Sequence, residues 1–316
     1  MSFNLPVRVV RATWIPLFII GCGLFILHRA DSEFSGFVPP QLHKPHYIML
    51  GMFAQCVVWI SLAAGWQSLV QRTGGENYLR LKSAFWHLAL FSVGKYLPGK
   101  VWGFLARGSS MAREGINTGA SLGASILEQI IVFHSGYIVL AATSIALLPI
   151  YPWLILMIVA ILSLFTVQNI YAIALKALYF GLSKLLKLVR FDSMQHKTRK
   201  PELKVLWLYV LVWLGHGAIF LCLFLATSES GIHLSVQLIA LFFLANTVGM
   251  LAGFVAFFAP AGFGVREAGA ALVLSSSMSI NEAILLAALM RVWSISSDVF
   301  LLLLALGVRN SRMRGV

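Results

Sequence analysis

A short apolar stretch broken by a Pro-Gly turn, residues 91–105, sets the strongest constraint on the fold of this chain. Two apolar arms flank a turn formed by Gly94, Pro98 and Gly99. Each arm is much shorter than the about 20 apolar residues that a helix needs to cross a bilayer. A broken backbone is tolerated at membrane depth only where it is buried in protein or lines a water-filled cavity. The stretch therefore predicts a re-entrant hairpin.

A second break of the same kind lies near the other end of the chain. Pro260, Gly262 and Gly264 interrupt an apolar region within residues 260–267. We interpret both breaks as re-entrant, broken-helix hairpins and the rest of the chain as the scaffold around them.

The composition indicates a membrane protein. Hydrophobic residues make up 59% of the chain and charged residues 11%, whereas a typical soluble domain has about 25% charged residues. This composition predicts an all-α polytopic membrane helical bundle, with residues 1–316 in a single integral membrane domain. The formal net charge of +13 is typical of cytoplasmic loops and contacts with anionic lipid headgroups. Nucleic-acid binding is not indicated, because the charges are dispersed between apolar segments.

The distribution of Lys and Arg predicts the orientation of the segments. Each basic loop falls on the same side of the predicted bundle, and the positive-inside rule places that side in the cytoplasm. Both termini are predicted to be cytoplasmic, because Arg8 and Arg11 precede the first apolar segment and three arginines follow the last. The predicted segments are residues 12–28, 47–70, 83–107 (the first hairpin), 118–148, 153–172, 205–227, 235–258, 264–274 and 284–308.

The predicted segments form two approximate halves, residues 1–172 and 205–316, joined by a basic cytoplasmic segment of residues 173–204. Within this segment, residues 176–190 place their cations near one helical face, which is typical of an amphipathic helix on the inner leaflet. An ordinary basic loop is the alternative. The two hairpins open to opposite sides, which suggests an inverted repeat with broken helices near the midplane.

Charged residues inside apolar segments are the candidate functional residues. A charge at the bilayer centre costs about 2.5–3.5 kcal/mol on insertion scales and is retained where it is paired, hydrated or functional. Bases outnumber acids here, and helix N-termini at the breaks add partial positive charge, so we expect a hydrated cleft that binds an anionic ligand. The candidate substrate-binding residues are Lys95, Lys100, Glu128, Arg266, Glu267, Arg291 and Asp298.

Glu128 has the most specific expected partner. A solitary carboxylate deep in an apolar helix is costly, so it either becomes protonated or finds a base. The two breaks bring the nearest candidates, Lys95, Lys100 and Arg266, toward the middle of the bundle, so we expect Glu128 to pack against one hairpin and to pair with one of its cations. An ion pair that only fixes helix register is the alternative.

The remaining charges leave structural and functional roles open. Arg291 and Asp298 are seven residues apart on one helix face, about 10 Å along the axis, so we expect each to pair with another helix. As an alternative to a role in ligand binding, the long side chains of Lys95 and Lys100 extend so that their ammonium groups reach the membrane interface. No spacing of His, Cys and carboxylates indicates a metal site, and no nucleotide motif is present, so we expect no metal and no cofactor.

The sequence at both breaks resembles a known family. The run Lys-Tyr-Leu-Pro-Gly-Lys-Val-Trp at 95–102, the acidic Glu128 and the run Pro-Ala-Gly-Phe-Gly-Val-Arg-Glu at 260–267 are similar to the lysylphosphatidylglycerol synthase transmembrane, or flippase-like, family. The resemblance covers residues 8–308. In the members that make lysyl lipid, a soluble aminoacyltransferase domain is added to a membrane part that is thought to move the lipid between leaflets. No such domain follows here, so we expect a stand-alone member that is not an enzyme.

The resemblance implies a flippase-like lipid transporter of the bacterial inner membrane. We expect it to move an anionic or isoprenoid-linked lipid between leaflets, in cell-envelope lipid or glycan assembly. Its expected partners are that lipid and envelope-biosynthesis enzymes. The alternative is a non-transporting membrane subunit that anchors or regulates such an enzyme. A membrane-embedded transferase, a third class, lacks an assignable catalytic base.

Overall fold

The computed structural model describes residues 41–73, 79–97, 102–116, 118–147, 203–229, 233–256 and 259–313. The predicted segments at 12–28 and 153–172, the predicted amphipathic helix at 176–190, and Pro98, Gly99 and Lys100 lie outside the described residues. The chain divides into two compact units, Met1–Leu42 and His43–Val316, and every helix below belongs to the second.

The described part of the chain is all-helical, as predicted, with eight α-helices and one 3-10 turn. In chain order they are α1 (His46–Thr73), α2 (Leu81–Gly94), α3 (Trp102–Arg113), α4 (Thr118–Leu147), α5 (Leu203–Thr227), α6 (Val236–Val255), the 3-10 turn (Pro260–Gly262), α7 (Val265–Leu274) and α8 (Ile280–Met313). Five of these helices, α1, α4, α5, α6 and α8, are long and apolar enough to cross a membrane. The structure thus confirms a multi-pass helical membrane protein.

The three remaining α-helices flank the predicted breaks and are too short to span. Helices α2 and α3 have 14 and 12 residues and pack against each other. Helix α7 has 10 residues and follows the 3-10 turn. The re-entry of these segments into a bilayer and the inverted repeat stay predictions.

Positive φ angles turn the backbone at the second break. Ala261 has φ 50°, and Gly262 has φ 71°, a left-handed region that a Cβ atom disfavours. The turn also packs tightly, since a Cβ atom added to Gly262 would lie 2.7 Å from the Cα of Gly253 in α6. The absence of side chains at both glycines therefore lets the break sit directly against α6.

Two groups of buried apolar side chains hold the helices together. One joins α1 to α5 and includes Trp66, Ile131 and Tyr209. The other joins α5 to α8 and includes Phe220 and Phe242. Because α5 contributes to both groups, it links the elements around the first break to those around the second.

Candidate functional site

The two breaks meet each other through their backbones. The N–H of Ala261, in the second break, donates to the carbonyl oxygen of Lys95, in the first, at 3.0 Å. The carbonyl of Ala261 accepts from Nη1 of Arg291, in α8, at 3.1 Å. Both backbone groups of this one residue are therefore used to tie three parts of the chain together.

An ion pair lies beside this contact. Lys95 Nζ is 2.6 Å from Asp298 Oδ2, and the Tyr96 hydroxyl donates to the same oxygen at 2.6 Å. The Lys95 side chain is 35% exposed, whereas that of Asp298 is 10% exposed. The pair thus connects the first break to α8, with its cation within reach of solvent or headgroups.

A second carboxylate connects α7 to α8. Glu267 Oε1 is 3.5 Å from Arg291 Nε, while its Oε2 accepts from the N–H of Gly264 at 2.7 Å. Glu267 therefore caps the first turn of α7 and offsets part of the charge of Arg291. Arg291 and Asp298 each pair with another helical segment, as expected from their spacing.

A pocket opens next to these charges. Its lining includes Asn246, Arg266, Glu267 and Arg291, and its volume of about 10 Å³ has room for about one water molecule. Nη2 of Arg266 is buried without a hydrogen-bond partner among the described residues. Two guanidinium groups and one carboxylate therefore line this space. We call the residues around the contact the break cluster: Lys95, Tyr96, Arg266, Glu267, Arg291 and Asp298.

Glu128 pairs with a base that differs from those expected. The expected partners were Lys95, Lys100 and Arg266, but the carboxylate pairs with Arg107 of α3. The Tyr209 hydroxyl donates to its other oxygen at 2.7 Å. The predicted pairing with a cation of a hairpin is confirmed, since Arg107 lies within residues 83–107, but the choice of base was wrong because Arg107 was expected at the cytoplasmic end of the hairpin.

The run of α3 explains this correction. The helix continues past position 107 to Arg113, so Arg107 is carried into the protein, where it is 0% exposed. Lys95, one of the expected partners, has its own carboxylate in Asp298. Lys100 lies outside the described residues.

Aromatic rings enclose the Arg107 guanidinium. Its Cζ lies 3.8 Å from the centre of the Trp66 ring and 4.4 Å from that of Phe91. The Trp66 indole N–H donates to Nδ1 of His87 at 3.3 Å. We call this buried set the core cluster: Trp66, His87, Arg107, Glu128 and Tyr209.

His87 connects the core cluster to Glu114, at the end of α3. Because Nδ1 accepts from Trp66, the neutral ring carries its proton on Nε2, which lies 3.1 Å from Glu114 Oε1. Burial raises the pKa of the Glu114 carboxyl, but hydrogen bonds from His87, Ser83 and Ser110 lower it by more, so the net shift is downward. The ionised Glu114 therefore stabilises the folded protein at neutral pH, and this contribution is lost as the pH falls through the lowered pKa of Glu114.

The structure brings five of the seven predicted site residues together in the break cluster and places Glu128 in the core cluster. Asn246 of α6 was not predicted, although a polar amide within an apolar helix of 20 residues could have indicated it.

No group of three His, Cys, Asp or Glu side chains with metal-binding geometry is found in the described ranges.

Comparison with known proteins identifies one family. A family model described as lysylphosphatidylglycerol synthase TM region matches residues 14–305, which is most of the chain. Searches of curated proteins and of solved structures find no match.

Proposed function

Since the chain belongs to the lysylphosphatidylglycerol synthase TM family, we propose that it is a transporter that moves a lipid with an anionic headgroup between leaflets. The observation that carries the proposal is the small cavity beside the second break, where Arg266 and Arg291 lie near one carboxylate, Glu267, and which has to widen to admit a headgroup. Guanidinium groups bind phosphate through paired, charge-assisted hydrogen bonds. A headgroup phosphate is thus a chemically suitable ligand, and its apolar tails stay in the bilayer.

The contact between the breaks is the part that moves in this proposal. Passage of a headgroup requires the hydrogen bond from Ala261 to Lys95 to open. The Lys95–Asp298 ion pair must separate with it, and a partly exposed pair opens at low cost. Transporters with broken helices use such rearrangements around a central binding site.

The distribution of Lys and Arg supports the orientation in this proposal, and membership of the family supports its cellular setting. The transporter lies in the bacterial inner membrane with both termini in the cytoplasm, acts without enzymatic activity, and works beside envelope-biosynthesis enzymes. Cysteines introduced at Ser2 and Ser311 test the topology. Labelling of either from outside intact cells by an impermeant thiol reagent would overturn it, provided that the parent protein has its own cysteines replaced.

Reconstitution tests the transport activity. Vesicles with and without the full chain carry fluorescent phosphatidylglycerol, and an impermeant quencher reports exchange between leaflets. We expect faster exchange with the protein. Arg291→Gln should lower the protein-dependent rate about tenfold, because a hydrogen bond to a charged group contributes about 1.5–3 kcal/mol.

Arg113→Gln is the matched control, because Arg113 is an exposed cation at the end of α3. Its exchange rate should equal that of the unchanged protein. Equal exchange in vesicles with and without the protein contradicts transport and favours a subunit that anchors or regulates an envelope enzyme.

A further inference from the structure

Tyr96 shares one carboxylate oxygen with its neighbour Lys95. Oδ2 of Asp298 accepts a hydrogen bond from the Tyr96 hydroxyl at 2.6 Å and lies 2.6 Å from Nζ of Lys95. The Asp298 side chain is only 10% exposed, so water reaches it poorly. If both donors left, the carboxylate would be a stranded charge, which is strongly unfavourable in a buried position.

The two donors differ in how easily they leave this oxygen. The Lys95 ammonium group is carried on a flexible four-carbon stem, and its side chain is 35% exposed. The Tyr96 hydroxyl is carried on a rigid ring with only two side-chain torsions. Lys95 is therefore the donor that is free to move.

The end of α2 keeps the Tyr96 backbone beside α8. The N–H of Tyr96 donates to the carbonyl of Val93, in the last turn of α2, at 3.2 Å. Helix α2 packs on α8 through the buried side chains of Leu88 and Leu301. A movement of the Lys95 side chain breaks none of these contacts, so Tyr96 remains on Asp298 when Lys95 leaves.

The Tyr96 ring also lies near two cations. Its centre is 5.3 Å from Nζ of Lys95 and 5.8 Å from Cζ of Arg291, distances at which a cation is attracted to an aromatic ring. Lys95 and Arg291 thus lie at the same ring. An anion bound to Arg291 attracts Lys95 away from Asp298.

We propose that Tyr96 is a positioning residue that keeps Asp298 hydrogen-bonded when Lys95 leaves it, so that Lys95 becomes a further contact to the headgroup phosphate. The tyrosine hydroxyl lowers the free-energy cost of opening the Lys95–Asp298 pair, because the carboxylate is never stranded. The inference rests on the proposed function for the anion that attracts Lys95, whereas the effect of Tyr96 on the pair is measurable without lipid.

The reactivity of the Lys95 amine tests the effect on the pair. Acetic anhydride labels amines that are free of an ion pair, and mass spectrometry of the purified full chain compares the labelling rate of Lys95 with that of the exposed Lys82. In Tyr96→Phe, labelling of Lys95 should slow about tenfold, because the open state lacks a hydrogen bond to a charged group. A tyrosine that only holds the breaks together predicts faster labelling, since its loss would loosen the contact.

Two further variants serve as controls. Tyr137→Phe makes the same change at a tyrosine of α4 that is 58% exposed, and it should leave the labelling of Lys95 unaltered. Asp298→Asn should speed up this labelling. Adding Tyr96→Phe to Asp298→Asn should then have no further effect, because a neutral amide leaves no stranded charge and the two changes are coupled.

Lipid exchange in vesicles tests the link to the headgroup. Tyr96→Phe should lower the protein-dependent exchange rate about as much as it slows the labelling of Lys95, while its melting temperature changes little. Tyr137→Phe should keep the exchange rate of the unchanged protein.

Each contrary result has a distinct meaning. Unaltered or faster labelling of Lys95 in Tyr96→Phe overturns the role of Tyr96, and so does equal slowing in the Asp298→Asn background. Slower labelling with an unaltered exchange rate overturns the contact of Lys95 with the phosphate. Equal exchange with and without the protein contradicts the proposed function, and the labelling rates still decide the role of Tyr96 in that case.

Discussion

The core cluster and the break cluster contain the same kinds of groups in opposite surroundings. In the core cluster, Arg107 is 0% exposed and Glu128 3% exposed, and aromatic rings cover the guanidinium. In the break cluster, the Lys95 side chain is 35% exposed, and Arg266 and Arg291 line a small cavity. The Arg107–Glu128 pair is therefore sealed, whereas the break cluster combines buried charges with a partly exposed cation and a cavity.

This difference separates structural from ligand-binding charges. The Arg107–Glu128 pair is buried among the described side chains, and we expect it to fix how α3 and α4 meet. Arg107 and Arg266 each have at least one guanidinium nitrogen without a hydrogen-bond partner among the described residues, but the Arg266 side chain adjoins a cavity, whereas aromatic rings cover that of Arg107. Burial and access, rather than the presence of a charge in an apolar helix, thus distinguish the two roles.

Glu128→Gln should produce the largest effect on stability. The change strands the Arg107 guanidinium inside the core cluster, and breaking a buried pair costs about 3–5 kcal/mol. Thermal unfolding in detergent measures the loss. Glu229→Gln, at an exposed position, should be nearly neutral. A stable Glu128→Gln protein that has lost transport would show that the core cluster is functional and would break the comparison.

Gly262→Ala should have the next largest effect, because the break cluster rests on tight backbone packing. The new Cβ atom meets the Cα of Gly253 at 2.7 Å, so overpacking of about 1–3 kcal/mol adds to left-handed strain of about 1–2 kcal/mol. Gly264→Ala is the matched control, since its φ is 79° but its Cβ atom would meet open space. It should lose only the strain energy. Equal losses in the two variants would show that the break does not press on α6.

Asp298→Asn should lower stability by less than Glu128→Gln does, because the Lys95 ammonium that it strands is 35% exposed and stays partly hydrated. Its transport rate should change much more than its melting temperature, since the contact between the breaks loses its ion pair. Thermal unfolding and vesicle exchange on the same preparation measure both. A loss of stability as large as that of Glu128→Gln would show that the Lys95–Asp298 pair is a structural pair like Arg107–Glu128.

The length of the apolar runs and the positions of glycine and proline were enough to predict most of the described helices. The apolar segment predicted at 118–148 corresponds to α4 (Thr118–Leu147), and that at 205–227 to α5 (Leu203–Thr227). A long apolar run in lipid is favourable only as a helix, so the bounds of the run predict the bounds of the helix. The breaks were predictable because glycine and proline interrupt the apolar runs.

The sequence did not predict equally well which side chain pairs with each buried charge. Glu128 was expected to pair, but the base in contact depends on how far α3 continues and how it rotates against α4. Asn246 carries no charge, so a search for charges in apolar helices passed over it. Its exposure to the pocket depends on the approach of α6 to α7, which three-dimensional packing decides.

Ala261→Gly should have the smallest effect and tests what holds the break in its conformation. Ala261 has φ 50°, a conformation that costs an L-residue about 1–2 kcal/mol and glycine almost nothing. Glycine, however, loses more conformational entropy on folding, which destabilises the variant by about 0.5–1 kcal/mol. We therefore expect a gain in stability of at most about 1 kcal/mol. Ala259→Gly, at a negative φ of −93°, should instead lose about 0.5–1 kcal/mol. If both variants lose stability equally in thermal unfolding, Ala261 is not strained in solution. The contacts from its backbone to Lys95 and Arg291 would then not be what imposes the turn at the break cluster.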